Sequence, residues 1–184
     1  MASCRDERLE LACQFGQPTK THLELTRMAA TNHYFEEFEV GVRYPTTSRL
    51  ITLEDHLAFC KLVRYEVPLF LDEEAGAKTN FAGMICPSHL IMSFTTAMTG
   101  ALFSKSILGL LAIERAKFHA PVRPGDTLRT VVEVIDKRLT SGGEKGVVTF
   151  RDEVYNQFDK LVFQNDKIAL IQCKSARKTD TDSQ

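Results

Sequence analysis

Proton transfer, nucleophilic attack and metal binding draw on a short list of side chains, and this chain offers few of them close together. Its histidines stand at 22, 33, 56, 89 and 119 and its cysteines at 4, 13, 60, 86 and 173. No two histidines have the spacing that puts both on one helix face, and no cysteine pair has zinc-site spacing, so no metal is expected. Asp55 and His56 are adjacent and must face different ways on a helix, which excludes them as a dyad. His89 follows Pro87 and Ser88 at the start of an apolar segment. It is a candidate acid/base with Asp72, Glu66 or Tyr65 as partner, or else a first-turn histidine bonded to the preceding loop. Asp72 is a weaker candidate base and also a natural cap for the acidic stretch 72–77. Cys86, just before the same segment, is either a thiolate favoured by a helix dipole or a buried thiol. Tyr65 is a hydrogen-bond donor to a bound group or a packing residue. His119 enters a Pro-Gly turn and reads as structural. Lys105, Arg115, Lys117 and Arg123 are candidate phosphate ligands around the mouth of a site, or solvated charges.

The elements that must position these groups follow from periodicity. A turn is predicted at Tyr44-Pro45-Thr46, then a strand over 47–52. Thr52 precedes Leu53, Glu54 and Asp55 in near-capping-box order, with Leu57, Cys60 and Leu62/Val63 at helical spacing. Residues 64–83 have little periodicity and read as one long irregular excursion, a length that in a compact domain points to function. Pro87 then opens a helix over 88–103 whose apolar residues run nearly all round, so it is expected to be buried. From Leu110 the pattern becomes strands. One ends at Pro121-Val122-Arg123-Pro124-Gly125-Asp126, and others run over 128–137, 146–155 and 161–173, the last interrupted by polar Gln164–Lys167. Consecutive strands joined by hairpins pair antiparallel, and one apolar helix requires a sheet curved around it. The class is α+β.

Composition removes several functions. Of 184 residues, 43% are hydrophobic and 26% charged, so the chain is globular. The net charge of −1 leaves no global field for nucleic acid or an anionic membrane surface. No apolar run reaches bilayer length. The N-terminus lacks the pattern of a secretory or transit signal, so a cytoplasmic location with reduced thiols is expected. The organisation expected is a leader over 1–33 (a docked helix or a mobile arm), one domain over 34–174 and a polar tail over 175–184.

Four segments in order resemble the MaoC-like dehydratases, the (R)-specific enoyl-CoA hydratase group of hot-dog proteins. They are Tyr34–Gly41 with Arg49–Asp55, Pro68–Ala75 reaching Phe81-Ala82-Gly83, Phe118–Leu128, and Asn156-Gln157 in the last hairpin. The resemblance implies a hot-dog fold, a long helix wrapped by a curved antiparallel sheet. It also implies an acyl-CoA or acyl-carrier thioester as substrate or ligand, no further cofactor, and a homodimer with a shared site. A dimer is also expected because Val131, Ile135, Val147 and Thr149 make the outer strand faces less polar than a solvated sheet.

The family's proton-transfer pattern is Gly-Asp-x-Asn-Pro-Leu-His-x-Asp. Laid on Pro68, it puts Tyr65 at the Asp and Phe70 at the His. A phenol with a pKa of about 10 is a poor base at neutral pH, and phenylalanine moves no protons. Pro87-Ser88-His89-Leu90 stands where the family has His-Gly before Met-Leu. The backbone N–H groups of Ser88 and His89 could still polarise a thioester carbonyl, whereas Pro87 has none to give. The substrate-binding set expected is Cys86, Pro87, Ser88, His89, Glu66, Lys117 and Arg123. Three functions remain open: a hydratase or dehydratase with a relocated dyad, an inactive acyl-thioester binder or partner subunit, and a thioesterase. The last is disfavoured because no carboxylate lies in 85–91.

Overall fold

The computed structural model describes residues 32–174, so the tail over 175–184 and all of the expected leader but Asn32 and His33 fall outside it. After a 3₁₀ turn at Phe35–Glu37 come β1 (Arg43–Pro45), β2 (Arg49–Leu50) and three helices, α1 (Leu53–Val63), α2 (Pro68–Leu71) and α3 (Glu73–Ala77). Helix α4 (Ser88–Thr99) runs into a 3₁₀ turn at Gly100–Leu102. Strands β3 (Ile107–Phe118), β4 (Thr127–Leu139), β5 (Lys145–Tyr155) and β6 (Leu161–Gln172) complete the chain.

The sheet order is β1-β4-β5-β6-β3, with β2 also on β4 and every pairing antiparallel. The crossover places β3 at one edge. Thr52 caps α1 as its spacing predicts: its hydroxyl accepts from Asp55 N–H at 3.0 Å, and the Asp55 carboxylate accepts from Thr52 N–H. None of the described helices is long and apolar enough to cross a membrane.

Four expectations need correction. Tyr44-Pro45 is not a turn but part of β1, where Tyr44 is buried opposite Val132; only Arg49–Leu50 of the stretch 47–52 pairs as strand. The excursion over 64–83 is not irregular, since Pro68 opens α2 and Asp72 caps α3 by accepting from Glu74 and Ala75 N–H. Helix α4 is not covered all round, because Ser88, His89, Ser93 and Ala97 face out on one stripe. Strand β6 is not interrupted. Asn165, Asp166 and Lys167 stay in register with β5 and are all buried.

That last correction exposes how the interior is built. Two apolar clusters pack on the sheet, one under the 3₁₀ turns at Phe35–Glu37 and Gly100–Leu102 and the other under α4. One holds Phe38, Leu102, Val132, Phe150 and Ala169; the other holds Leu90, Ile91, Leu128, Val154 and Phe163. Polar residues separate them on four elements: Thr130 on β4 between Leu128 and Val132, Asp152 on β5 between Val154 and Phe150, Asn165 and Lys167 on β6 between Phe163 and Ala169, and Thr95 and Thr99 on α4. All six are buried. Lys167 Nζ lies 2.6 Å from Asp152 Oδ2 and donates to Thr99 Oγ1 at 2.8 Å, tying helix to sheet.

Candidate active site

The excursion is held as a unit by the residues that begin and end it. Arg64 ends α1 in the left-handed region at φ 54°, and Tyr65 N–H donates to Cys60 O at 2.8 Å. Met84 N–H donates to Glu73 Oε2 at 2.9 Å. The Arg123 guanidinium donates to Met84 O at 3.0 Å and also to Phe81 O. Gly76 passes so close to Gly83 that a Cβ there would overlap the Gly83 carbonyl group. Ile85 N–H reaches Leu69 O at 3.4 Å and Cys86 N–H reaches Val122 O at 2.7 Å, so the excursion's end is fixed to both α2 and the turn after β3.

These contacts leave a cleft of about 280 Å³ beside the start of α4. Its walls include Phe81, Cys86, Ser88, Ile91, Phe118 and Val122. Phe118 stacks on Phe163 with ring centres 4.5 Å apart, joining the cleft wall to the apolar cluster behind it. Pro87 caps α4 and its carbonyl accepts from Leu90 N–H at 3.0 Å. Neither the Ser88 nor the His89 N–H is used by a partner among the described residues. Two unused donors at the positive end of a twelve-residue helix, beside an apolar cleft, are an arrangement that can polarise a carbonyl oxygen.

The remaining candidates divide clearly. Tyr65 and Phe70 do come together, with ring centres 5.0 Å apart. Neither ring is among the residues that line the cleft, and His56 Nε2 donates to Phe70 O. His56 is fully buried, and its Nδ1 finds no partner. Its place beneath Phe70 and that of His119 on the cleft lining are both missed by sequence spacing, because each depends on how distant segments pack.

Other expectations fail on geometry. His89 is exposed and its ring bonds to none of Asp72, Glu66 or Tyr65, so the relocated dyad is not assembled. The Asp72 carboxylate is committed to capping α3. Glu66 and Lys117 are exposed and bound to nothing in the site. Burial pushes the Cys86 thiol up to about 12, with the Asp126 charge adding to it, so the helix dipole does not make a thiolate there. The four cations do not ring one mouth. Arg123 braces the excursion, Arg115 pairs with buried Asp166, and Lys105 lies past the far end of α4. No group of three or more metal-ligating side chains gathers among the described residues.

An open antiparallel sheet with one long helix across it, a braced excursion and a cleft at the helix start together define the hot-dog class. A family model for the MaoC like domain matches residues 66–156. A 3-hydroxyacyl-[acyl-carrier-protein] dehydratase FabZ from Solibacter usitatus is 30% identical over 117 residues, which is 58% of this chain and 68% of that protein. The solved structure of a monoamine oxidase regulatory protein from Archaeoglobus fulgidus is 30% identical and superimposes with a TM-score of 0.72, covering 80% of this chain and 99% of the other. An (R)-hydratase from A. caviae involved in PHA biosynthesis is 25% identical with a TM-score of 0.61, covering 75% and 98%. The chain belongs to the MaoC-like family of hot-dog proteins.

Proposed function

We propose that this chain binds acyl thioesters, as acyl-CoA or acyl-carrier-protein conjugates, in the cleft at the start of α4, and that the hydration and dehydration chemistry of its hydratase and dehydratase relatives is slow or absent. The observation that carries the reading is the split between the two halves of the site. The carbonyl-polarising half is intact, with the Ser88 and His89 N–H groups unused beside an apolar cleft. At the positions of the family's proton-transfer pair, Tyr65 and Phe70 instead pack against each other. The thioester oxygen would lie at the helix start, with the acyl chain against Ile91, Phe118 and Val122. Binding so described uses backbone donors and apolar walls and needs no metal or cofactor.

A second copy of the chain is the proposed partner. The apolar surface that motivates it is not where the strand pattern puts it, since Val147 is buried and Val131, Ile135 and Thr149 are half-buried. It lies instead on edge strand β3, where Leu108, Leu110 and Leu111 are 47%, 45% and 56% exposed beside Ile107, Ile113 and Phe118. An unpaired edge with that composition is stabilised by a two-fold copy of itself. Phe118 also lines the cleft, so the pairing would complete the site's outer wall.

Calorimetric titration with acyl-CoA tests the binding. Saturable heat is expected, weakened by Ser88→Pro, which removes one donor worth about 1–3 kcal/mol when buried. No heat with any acyl-CoA at about 1 mM, a concentration at which binding of only ~4 kcal/mol is visible, would refute it.

A further inference from the structure

The cleft beside the start of α4 carries a reactive group that carbonyl binding leaves unused. Among the described residues its lining holds two titratable side chains, Cys86 and His119, and no carboxylate. Burial keeps the Cys86 thiol protonated at neutral pH, which removes it as a base or nucleophile. His119 differs. It is exposed, and its ring has no hydrogen-bond partner among the described residues. An imidazole left free in this way can both take up and return a proton near neutral pH.

The backbone fixes where this group stands. The His119 and Ala120 N–H groups share the Val162 carbonyl, at 2.8 and 3.4 Å, so the regular alternation of β3 ends there and residues 118–122 run together along one wall of the cleft. Phe118, stacked on Phe163, anchors that wall just before His119, and the fixed φ of Pro121 stiffens it just after. The opposite wall carries Ser88 with its unused N–H. Cys86 N–H to Val122 O, at 2.7 Å, ties the two walls together. Carbonyl-polarising donors thus face a cleft of about 280 Å³ from one side, and a histidine lines it from the other. A water, whose share of liquid volume is about 30 Å³, fits beside a thioester group in that space.

We infer that the cleft hydrolyses acyl thioesters, with His119 as general base. The inference rests on the acyl-thioester binding proposed above. With the carbonyl oxygen on the Ser88 and His89 N–H groups, the His119 imidazole takes a proton from water as the water oxygen bonds to the carbonyl carbon. The electron pair displaced onto the carbonyl oxygen is held by the two N–H groups. When that pair returns, the C–S bond breaks, and sulfur leaves with its electrons and takes the proton back from the imidazolium. The products are the free acid and the free thiol. This is not the hydration whose proton-transfer pair is replaced by Tyr65 and Phe70, because water attacks the carbonyl carbon and not an alkene. The sequence disfavours a thioesterase for want of a carboxylate in 85–91, but the proton acceptor comes from a separate segment.

The test follows release of free CoA thiol from butyryl-CoA by the full chain. In parallel, calorimetry follows binding of a carba analogue, in which CH₂ replaces the thioester sulfur so that hydrolysis is impossible. Hydrolysis is expected at least ~10⁴-fold above buffer, about 10² from the base and about 10² from the donors. His119→Ala, a change at an exposed position, is expected to lose at least ~10²-fold of the rate while still binding the analogue. Binding of the analogue without hydrolysis of butyryl-CoA would overturn the inference and leave the binding function standing. An unchanged rate in folded His119→Ala would overturn the role of His119, and so would loss of analogue binding together with the rate. Neither binding nor hydrolysis by the unaltered protein would overturn both readings.

Discussion

At the scale of single residues, the chemistry of the site depends on Tyr65 and Phe70. General acid–base catalysis supplies roughly 10²–10⁴-fold in rate, so if Tyr65 and Phe70 replace that pair as proposed, the site has that much to regain. Tyr65→Asp with Phe70→His is expected to raise trans-2-enoyl-CoA hydration by at least ~10²-fold, with either change alone giving much less. A steady-state assay of the three variants checks this, and equal rates in singles and double would contradict it. The environment built for this pair differs from a catalytic one, since the Phe70 carbonyl already accepts from His56. Cys86 makes a second residue-level test. A thiol pushed up to about 12 is almost fully protonated at neutral pH and reacts slowly. Native-state alkylation with mass-spectrometric readout should leave Cys86 unmodified until the protein is unfolded. The residues of the site were only partly legible in the sequence. Tyr65, Phe70 and Ser88 could be found because they fall within a contiguous pattern. The buried contact of His56, the bracing by Arg123 and the failure of His89 to find a partner depend on side-chain direction and long-range packing, which spacing does not encode.

At the scale of elements, what was legible is what periodicity and capping determine locally. Thr52 and Asp55 announce α1, Pro87 announces α4, and Val132/Val134 and Val148/Phe150/Val154 announce the inner faces of β4 and β5. What misled was polarity taken as a sign of exposure. Gln164–Lys167 reads as a break in β6, yet Asn165, Asp166 and Lys167 are buried, with Asp152 on the neighbouring strand and Thr99 on the helix as partners for Lys167. Burial pushes the Asp152 carboxyl above the ordinary range, and the Lys167 charge only partly opposes this. A raised folded-state value means that the native state holds the proton more tightly than the unfolded chain. The Asp152 contribution to stability therefore falls as pH rises from the ordinary aspartate value through the raised one, and Lys167 limits that loss. Lys167→Met alone would leave the carboxylate unpaired and is expected to cost about 3–5 kcal/mol by chemical denaturation. Adding Asp152→Leu is expected to restore most of it, because an apolar pair of similar volume is often neutral or stabilising. A double variant less stable than the single one would show that the pair is more than a compensated burial.

At the scale of the whole molecule, the fold supplies a rigid sheet, a helix with free donors at one end, and an edge strand left uncovered. An apolar edge is an aggregation liability unless a partner covers it, which is why β3 and not the outer sheet face is the expected seam. Light scattering at micromolar concentration should give twice the chain mass of 20.7 kDa. Leu111→Asp, placing a charge in the middle of β3, should give a folded monomer. A monomer mass for the unaltered protein would remove the shared outer wall of the cleft. The central claim is that binding has been kept while proton transfer has been lost. It is tested most directly by following crotonyl-CoA hydration in the same samples used for an acyl-CoA binding titration. Saturable binding is expected together with a hydration rate far below the kcat of about 10 s⁻¹ typical of enzymes. Hydration at or above that rate by the unaltered protein would contradict it.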